Sequence, residues 1–180
     1  MLPVYNSNNA EAGVTFLELL VTIAIIGILA AIAIPYYGDY VSRQRLIGAA
    51  EAIYGQLQAA KRNSVSNNKT VYFVTSGSGS SSWCATFSEA SSAGASCSAG
   101  FVVAASNRSP LITSSDYPNV TMTAPSYIGF VMPGALVSNN SSISLSIGSV
   151  SLGDLALQIS PAMNISICTS GPLAQYDVCD

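Results

Sequence analysis

Histidine is absent from this chain, and charge of either sign is scarce. Six Lys and Arg and nine Asp and Glu make up 8% of 180 residues, where an ordinary soluble domain carries about 25%. Without imidazole there is no Ser-His-Asp or Cys-His catalysis and no His-ligated zinc. The basic residues are Arg43, Arg45, Lys61, Arg62, Lys69 and Arg108; none precedes Arg43 and none follows Arg108. Beyond Arg108 the only charged side chains are Asp116, Asp154, Asp177 and Asp180, which repel a phosphate backbone. With a net charge of −3 and an isoelectric point near 4.6, this argues against DNA binding. Serine, at 29 positions, takes the place of charge, and hydrophobic residues reach 49%. Val, Ile, Leu, Phe and Tyr are too plentiful for a disordered chain. The length suits one domain, or a small head plus an anchor.

Residues 19–38, LLVTIAIIGILAAIAIPYYG, are uncharged; as a helix they would span about 30 Å, the thickness of a bilayer core. A secretory signal peptide has a basic start and an apolar stretch of roughly 7–15 residues. The preceding MLPVYNSNNAEAG has no Lys or Arg, and the apolar run is too long. Helical periodicity then continues, with Leu46, Ala50, Ile53, Leu57 and Ala60 on one face. The pattern predicts one long helix, apolar all round in its first half and amphipathic in its second. Glu18 is an ionisable group at the start of the apolar run, where a carboxylate at mid-membrane costs about 2.5–3.5 kcal/mol. It sits either at headgroup level or opposite a charge partner. Pro35 either kinks the helix or marks its end at Ile34. Gly27 and Ala31 are spaced for close helix approach.

Gly13-Val14-Thr15-Phe16-Leu17-Glu18-Leu19-Leu20, followed by the apolar run and Pro35, resembles the processing site of type IV prepilins and type II secretion pseudopilins. The resemblance implies cleavage by prepilin peptidase between Gly13 and Val14, N-methylation of Val14, and assembly through Glu18, Gly27 and the Pro35 kink. The freed Val14 ammonium of an incoming subunit would neutralise Glu18 of its neighbour, offsetting the burial cost of both. The leader departs from the family in lacking basic residues, and Val14 stands where Phe or Met is usual. The implied organisation is a leader over 1–13, a transmembrane and assembly half-helix over 14–40, and a periplasmic half-helix with a β head over 41–180. The fold expected is α+β, a long N-terminal helix packed on an antiparallel β-rich pilin head. The implied partners are prepilin peptidase, other pilins in a helical filament, the inner membrane and the assembly machinery within it. The implied location is the inner membrane, single-pass with a periplasmic head, and then an extracellular pilus or periplasmic pseudopilus.

After Asn67-Asn68 the pattern changes to short strands: 69–75, 83–87, 101–105, 120–124, 128–132, 143–150, 155–159 and 165–168. In 143–150, Ile143, Leu145, Ile147 and Ser149 share one face. Four cysteines allow three pairings; the local one, Cys84–Cys97 with Cys168–Cys179, suits an exported protein. A metal site is disfavoured by the lack of CxxC spacing and of His, and no cofactor is implied. Ser66-Asn67-Asn68-Lys69 matches S-x-x-K, but its companion motifs are absent, so an enzyme is not expected.

Gln56–Asn63 followed by Thr70-Val71-Tyr72-Phe73 is similar to GspH/FimT-type minor pilins and pseudopilins. ISPAMNISIC (159–168) resembles the last strand of that group. DNA-binding members carry a Gly-Arg-x-Arg arrangement there, and this chain has Met163, Asn164 and Ser166. The Cys168–Cys179 loop resembles that of major pilins. The leading expectation is a minor pilin of a type IV pilus. Its alternatives are a major pilin, a type II secretion pseudopilin, or a tip adhesion or receptor module using the Ser-rich loops and Trp83. Trp83 has a rival role as a core plug.

Overall fold

Helix α1 runs Phe16–Asn67, fifty-two residues, in a computed structural model that describes residues 14–88, 111–132, 136–137, 141–148, 153–171, 173 and 175–179. It is continuous through Pro35, so it does not end at Ile34. The chain divides into two compact units, Met1–Gly38 and Asp39–Asp180.

In the second unit the amphipathic face expected of α1 is the buried one. Leu46, Ala50, Ile53, Leu57 and Ala60 are all fully buried. The helix stops by a backbone device at its C-terminus. Asn68 takes a left-handed φ of 50°, a conformation that Asn tolerates better than most residues. The Asn68 N–H then bonds the Val65 carbonyl, and the Lys69 N–H reaches back to the Ser64 carbonyl at 3.2 Å. The buried Ser64 hydroxyl lies 2.7 Å from the Lys69 carbonyl and 2.9 Å from that of Phe130. Helix end, first strand and a central strand are thus stitched at one point.

Among the described residues ten strands follow: β1 Val71–Ser76, β2 Cys84–Ser88, β3 Ile112–Thr113, β4 Val120–Thr123, β5 Tyr127–Val131, β6 Leu136–Val137, β7 Ser141–Ile147, β8 Leu155–Ile159, β9 Ile165–Thr169 and β10 Asp177–Val178. They form two five-stranded sheets, ordered β3-β2-β1-β5-β6 and β10-β9-β8-β7-β4. The inward faces of both sheets and the α1 stripe make one hydrophobic core, in which Phe73, Phe130, Leu145 and Leu157 are fully buried. Register follows the alternation: Phe73 pairs with Phe87 and with Ile128, and Ile143 with Leu157. Ile143, Leu145 and Ile147 are buried as one face. Ser149, the strand expected over 101–105 and the pairing partner expected at Cys97 lie outside the described residues.

The two sheets are antiparallel, as expected, except at one edge. β10 pairs with β9 in parallel, so the second sheet is mixed. Cys168 of β9 is disulfide-bonded to Cys179 just past β10, which ties the two strands together at this edge. Tyr176, on that return, points its hydroxyl at the Glu51 carboxylate of α1. Burial, and then the Glu51 charge and hydrogen bond, hold its phenol above the ordinary range. Replacing both Cys168 and Cys179 with Ser is expected to lower stability by about 3 kcal/mol, from loop entropy alone. The check is thermal unfolding of the full-length protein in detergent; an unchanged midpoint would show that β10 is held without the bond.

Of the two roles open to Trp83, the structure shows the core plug. It is 1% exposed, its indole N–H donates to the Val120 carbonyl at 2.8 Å, and its ring stacks on Tyr117 at 6.4 Å. Tyr117 lies over α1 at Gly48, where a β-carbon would come within 3.2 Å of the ring. Burial and the adjacent Asp116 charge raise the Tyr117 phenol above its ordinary range. A Trp in this position is a core residue and offers no tip surface.

Candidate processing and assembly segment

The described part of the N-terminal unit is the apolar first half of α1, with Glu18 as its one charged residue. Every described residue from Val14 to Ile32 is exposed, Phe16 at 80% and Ile28 at 64% among them. Monomeric soluble proteins rarely leave contiguous apolar surface of more than a few hundred Å² uncovered, so lipid or another protein must cover this helix. Among the described residues no single helical stretch is long and apolar enough to cross a membrane when α1 is divided about residues 33–36; its two parts, Phe16–Ile32 and Tyr37–Asn67, meet the length and composition only together.

Glu18 is the only charged residue between Val14 and Gly38. Its position relative to the helix start is what distinguishes it. Val14 and Thr15 have no regular structure, and α1 begins at Phe16. Thr15 is the N-cap: its carbonyl accepts the Leu19 N–H and its hydroxyl accepts the Glu18 N–H, each at 3.2 Å. Glu18 is therefore the third helical residue, where the unpaired N–H groups and the helix dipole favour a carboxylate. Thr15-Phe16-Leu17-Glu18 has the spacing of a capping box. That spacing is legible in the sequence alone.

The other expected site residues fall as follows. Gly13 lies outside the described residues, and Val14 is 74% exposed. Gly27 is in the helix with nothing within 4 Å of the place a β-carbon would take, so its side is open to a close neighbour. The backbone at Pro35 is helical. Thr22 satisfies its own hydroxyl by donating to the Leu19 carbonyl at 2.8 Å, which suits it to apolar surroundings. Cys84 is disulfide-bonded, as are Cys168 and Cys179 to each other. In the head, Met163 is buried at the turn between β8 and β9, with a left-handed φ of 58°. Its carbonyl accepts the Lys61 ammonium at 2.8 Å. That contact holds one of the few cations against the backbone of this turn.

Residues 8–34 match the family model described as the prokaryotic N-terminal methylation motif. Fimbrial protein Q of Moraxella bovis is 49% identical over 53 residues, 29% of this chain and 31% of that one. A fimbrial protein of Pseudomonas aeruginosa is 40% identical over 62 residues, 34% of this chain and 40% of the relative. The type IV major pilin protein PilE1 of Neisseria gonorrhoeae is 39% identical over 62 residues, 34% of this chain and 38% of its own. The chain spans about a third of the length of the curated relatives it matches. No solved structure matches it. The N-terminal segment thus carries the prokaryotic N-terminal methylation motif and is similar to the same part of type IV pilins and fimbrial proteins.

Proposed function

We propose that the protein is a structural subunit of a type IV pilus. It is made as a precursor anchored in the inner membrane by the apolar half of α1, cut by prepilin peptidase between Gly13 and Val14, N-methylated at Val14, and added to a helical filament through the same segment. The observation that supports this best is the coincidence of the methylation motif with uncovered apolar surface from Val14 to Ile32. In a membrane, lipid covers that surface; in a filament, the helices of neighbouring subunits do. Gly27 and Ala31 let those helices approach closely, and Glu18 supplies the charge that an incoming N-terminus requires. On this reading the protein is an enzyme's substrate and has no catalytic site of its own.

Within the family the reading is a minor pilin of the GspH/FimT type, supported by the way the end of α1 at Asn67 leads directly into β1 at Val71. Relatives that are themselves major pilins favour the alternative of a major pilin.

Intact mass of protein sheared from cells tests the proposal. The expected chain begins at Val14, heavier by one methyl group than its sequence, and is present at a small fraction of the main subunit. A chain in filaments that begins at Met1, or after Ala33, would sink the processing assignment. Abundance equal to the main subunit would make it a major pilin.

A further inference from the structure

Thr15 has no part in the function proposed above, yet it makes two of the bonds that open α1. The first four N–H groups of a helix have no carbonyl partner within it, and in hydrocarbon no water replaces the missing acceptor. The Thr15 hydroxyl satisfies one of them, the N–H of Glu18. Its backbone leaves the helix at the same point, so Val14 stays outside.

We propose that Thr15 is a positioning residue for cleavage: by capping α1 it keeps Val14, which supplies the amine side of the bond to be cut, out of the helix, where a peptidase can bind it extended. The inference rests on Gly13–Val14 being the processing site. The reaction is hydrolysis. Water adds across the amide, the C–N bond breaks, and a carboxylate on Gly13 and an ammonium on Val14 remain. The groups that activate the water belong to the peptidase. Thr15 acts on the shape of the substrate alone.

Without the hydroxyl no side chain sets the start of α1. The helix can then grow back through Val14, drawing the amide on the reacting side into helical geometry. Loss of a Ser or Thr cap shifts such an equilibrium by about fivefold. Glu18 gives the cap only its backbone N–H, so its carboxylate is free for another task. Thr15 thus acts before the bond is cut and Glu18 afterwards.

The test is pulse-labelled conversion of the full-length precursor in membranes containing prepilin peptidase. Thr15→Val and Thr15→Ala precursors are expected to insert like the unaltered protein and convert about fivefold more slowly. Thr15→Ser and Glu18→Ala precursors convert at the normal rate. Normal conversion of Thr15→Val, or failure of Thr15→Ser to restore the rate, overturns the proposal. A mass showing the unaltered precursor cut anywhere but after Gly13 overturns the processing site itself, and with it the role of Thr15.

Discussion

Replacing Glu18 with Val or Ala is expected to yield a protein that inserts, is cut, and never reaches the filament. Insertion survives because removing the only charge between Val14 and Gly38 lengthens the apolar run. Cleavage survives because the bond cut is four residues away and the cap on α1 uses the backbone of residue 18, which any residue but proline supplies. Assembly is where the carboxylate matters. Cleavage creates an ammonium on Val14, and a subunit entering a helical stack carries that charge into apolar surroundings. Breaking a buried ion pair by removing one partner costs about 3–5 kcal/mol, and each 1.4 kcal/mol is a factor of ten. Incorporation should therefore fall by more than about a hundredfold. Fractionation reads the result: processed protein in the inner membrane, none in sheared filaments. Normal incorporation would place Glu18 among lipid headgroups, with no part in pairing.

Gly77→Ala is the substitution expected to damage the head most. Gly77 opens the loop between β1 and β2 with a φ of 79°, and its β-carbon would stand 2.0 Å from the Ser82 carbonyl oxygen and 2.9 Å from the Trp83 α-carbon. Neither obstacle is the flexible end of a side chain. The loop is further held by the Ser80 N–H and hydroxyl, both donated to the Gly77 carbonyl. Moving the backbone away would drag Trp83 from its bond to Val120 and its place in the core. A left-handed conformation alone costs a non-glycine residue about 1–2 kcal/mol; with the overlap, a loss of about 3–5 kcal/mol is expected, at the extreme of single substitutions. Thermal unfolding of the full-length protein in detergent checks it. Gly79→Ala is the control, because Gly79 also has positive φ but its β-carbon position is open, so it should lose only the conformational part. Equal losses at the two positions would mean that the overlap contributes nothing.

Local pattern was sufficient wherever one face of an element had to meet one core. Leu46, Ala50, Ile53, Leu57 and Ala60 recur at helical spacing and are buried together; Ile143, Leu145 and Ile147 alternate and are buried together. Residues 13–35 carry the processing motif in one continuous stretch, so the candidate segment was legible by reading along the chain. Tertiary structure decided what depends on partners distant in sequence. β3, β6 and β10 have two residues each, too few for any periodicity, and exist because a neighbour strand or a disulfide supplies their pairing. Trp83 sits beside a run of serines that reads as a loop, and only the Val120 carbonyl thirty-seven residues on and the Tyr117 ring make it a core residue. Thr15 is the intermediate case: its spacing to Glu18 was visible, but only the start of α1 at Phe16 shows that its hydroxyl caps the helix. The sequence by itself thus determined the helix, its two faces and the segment that carries the methylation motif. Packing decided the sheet order, the parallel return of β10 and the burial of Trp83, because none of these is encoded within fewer than ten residues of chain.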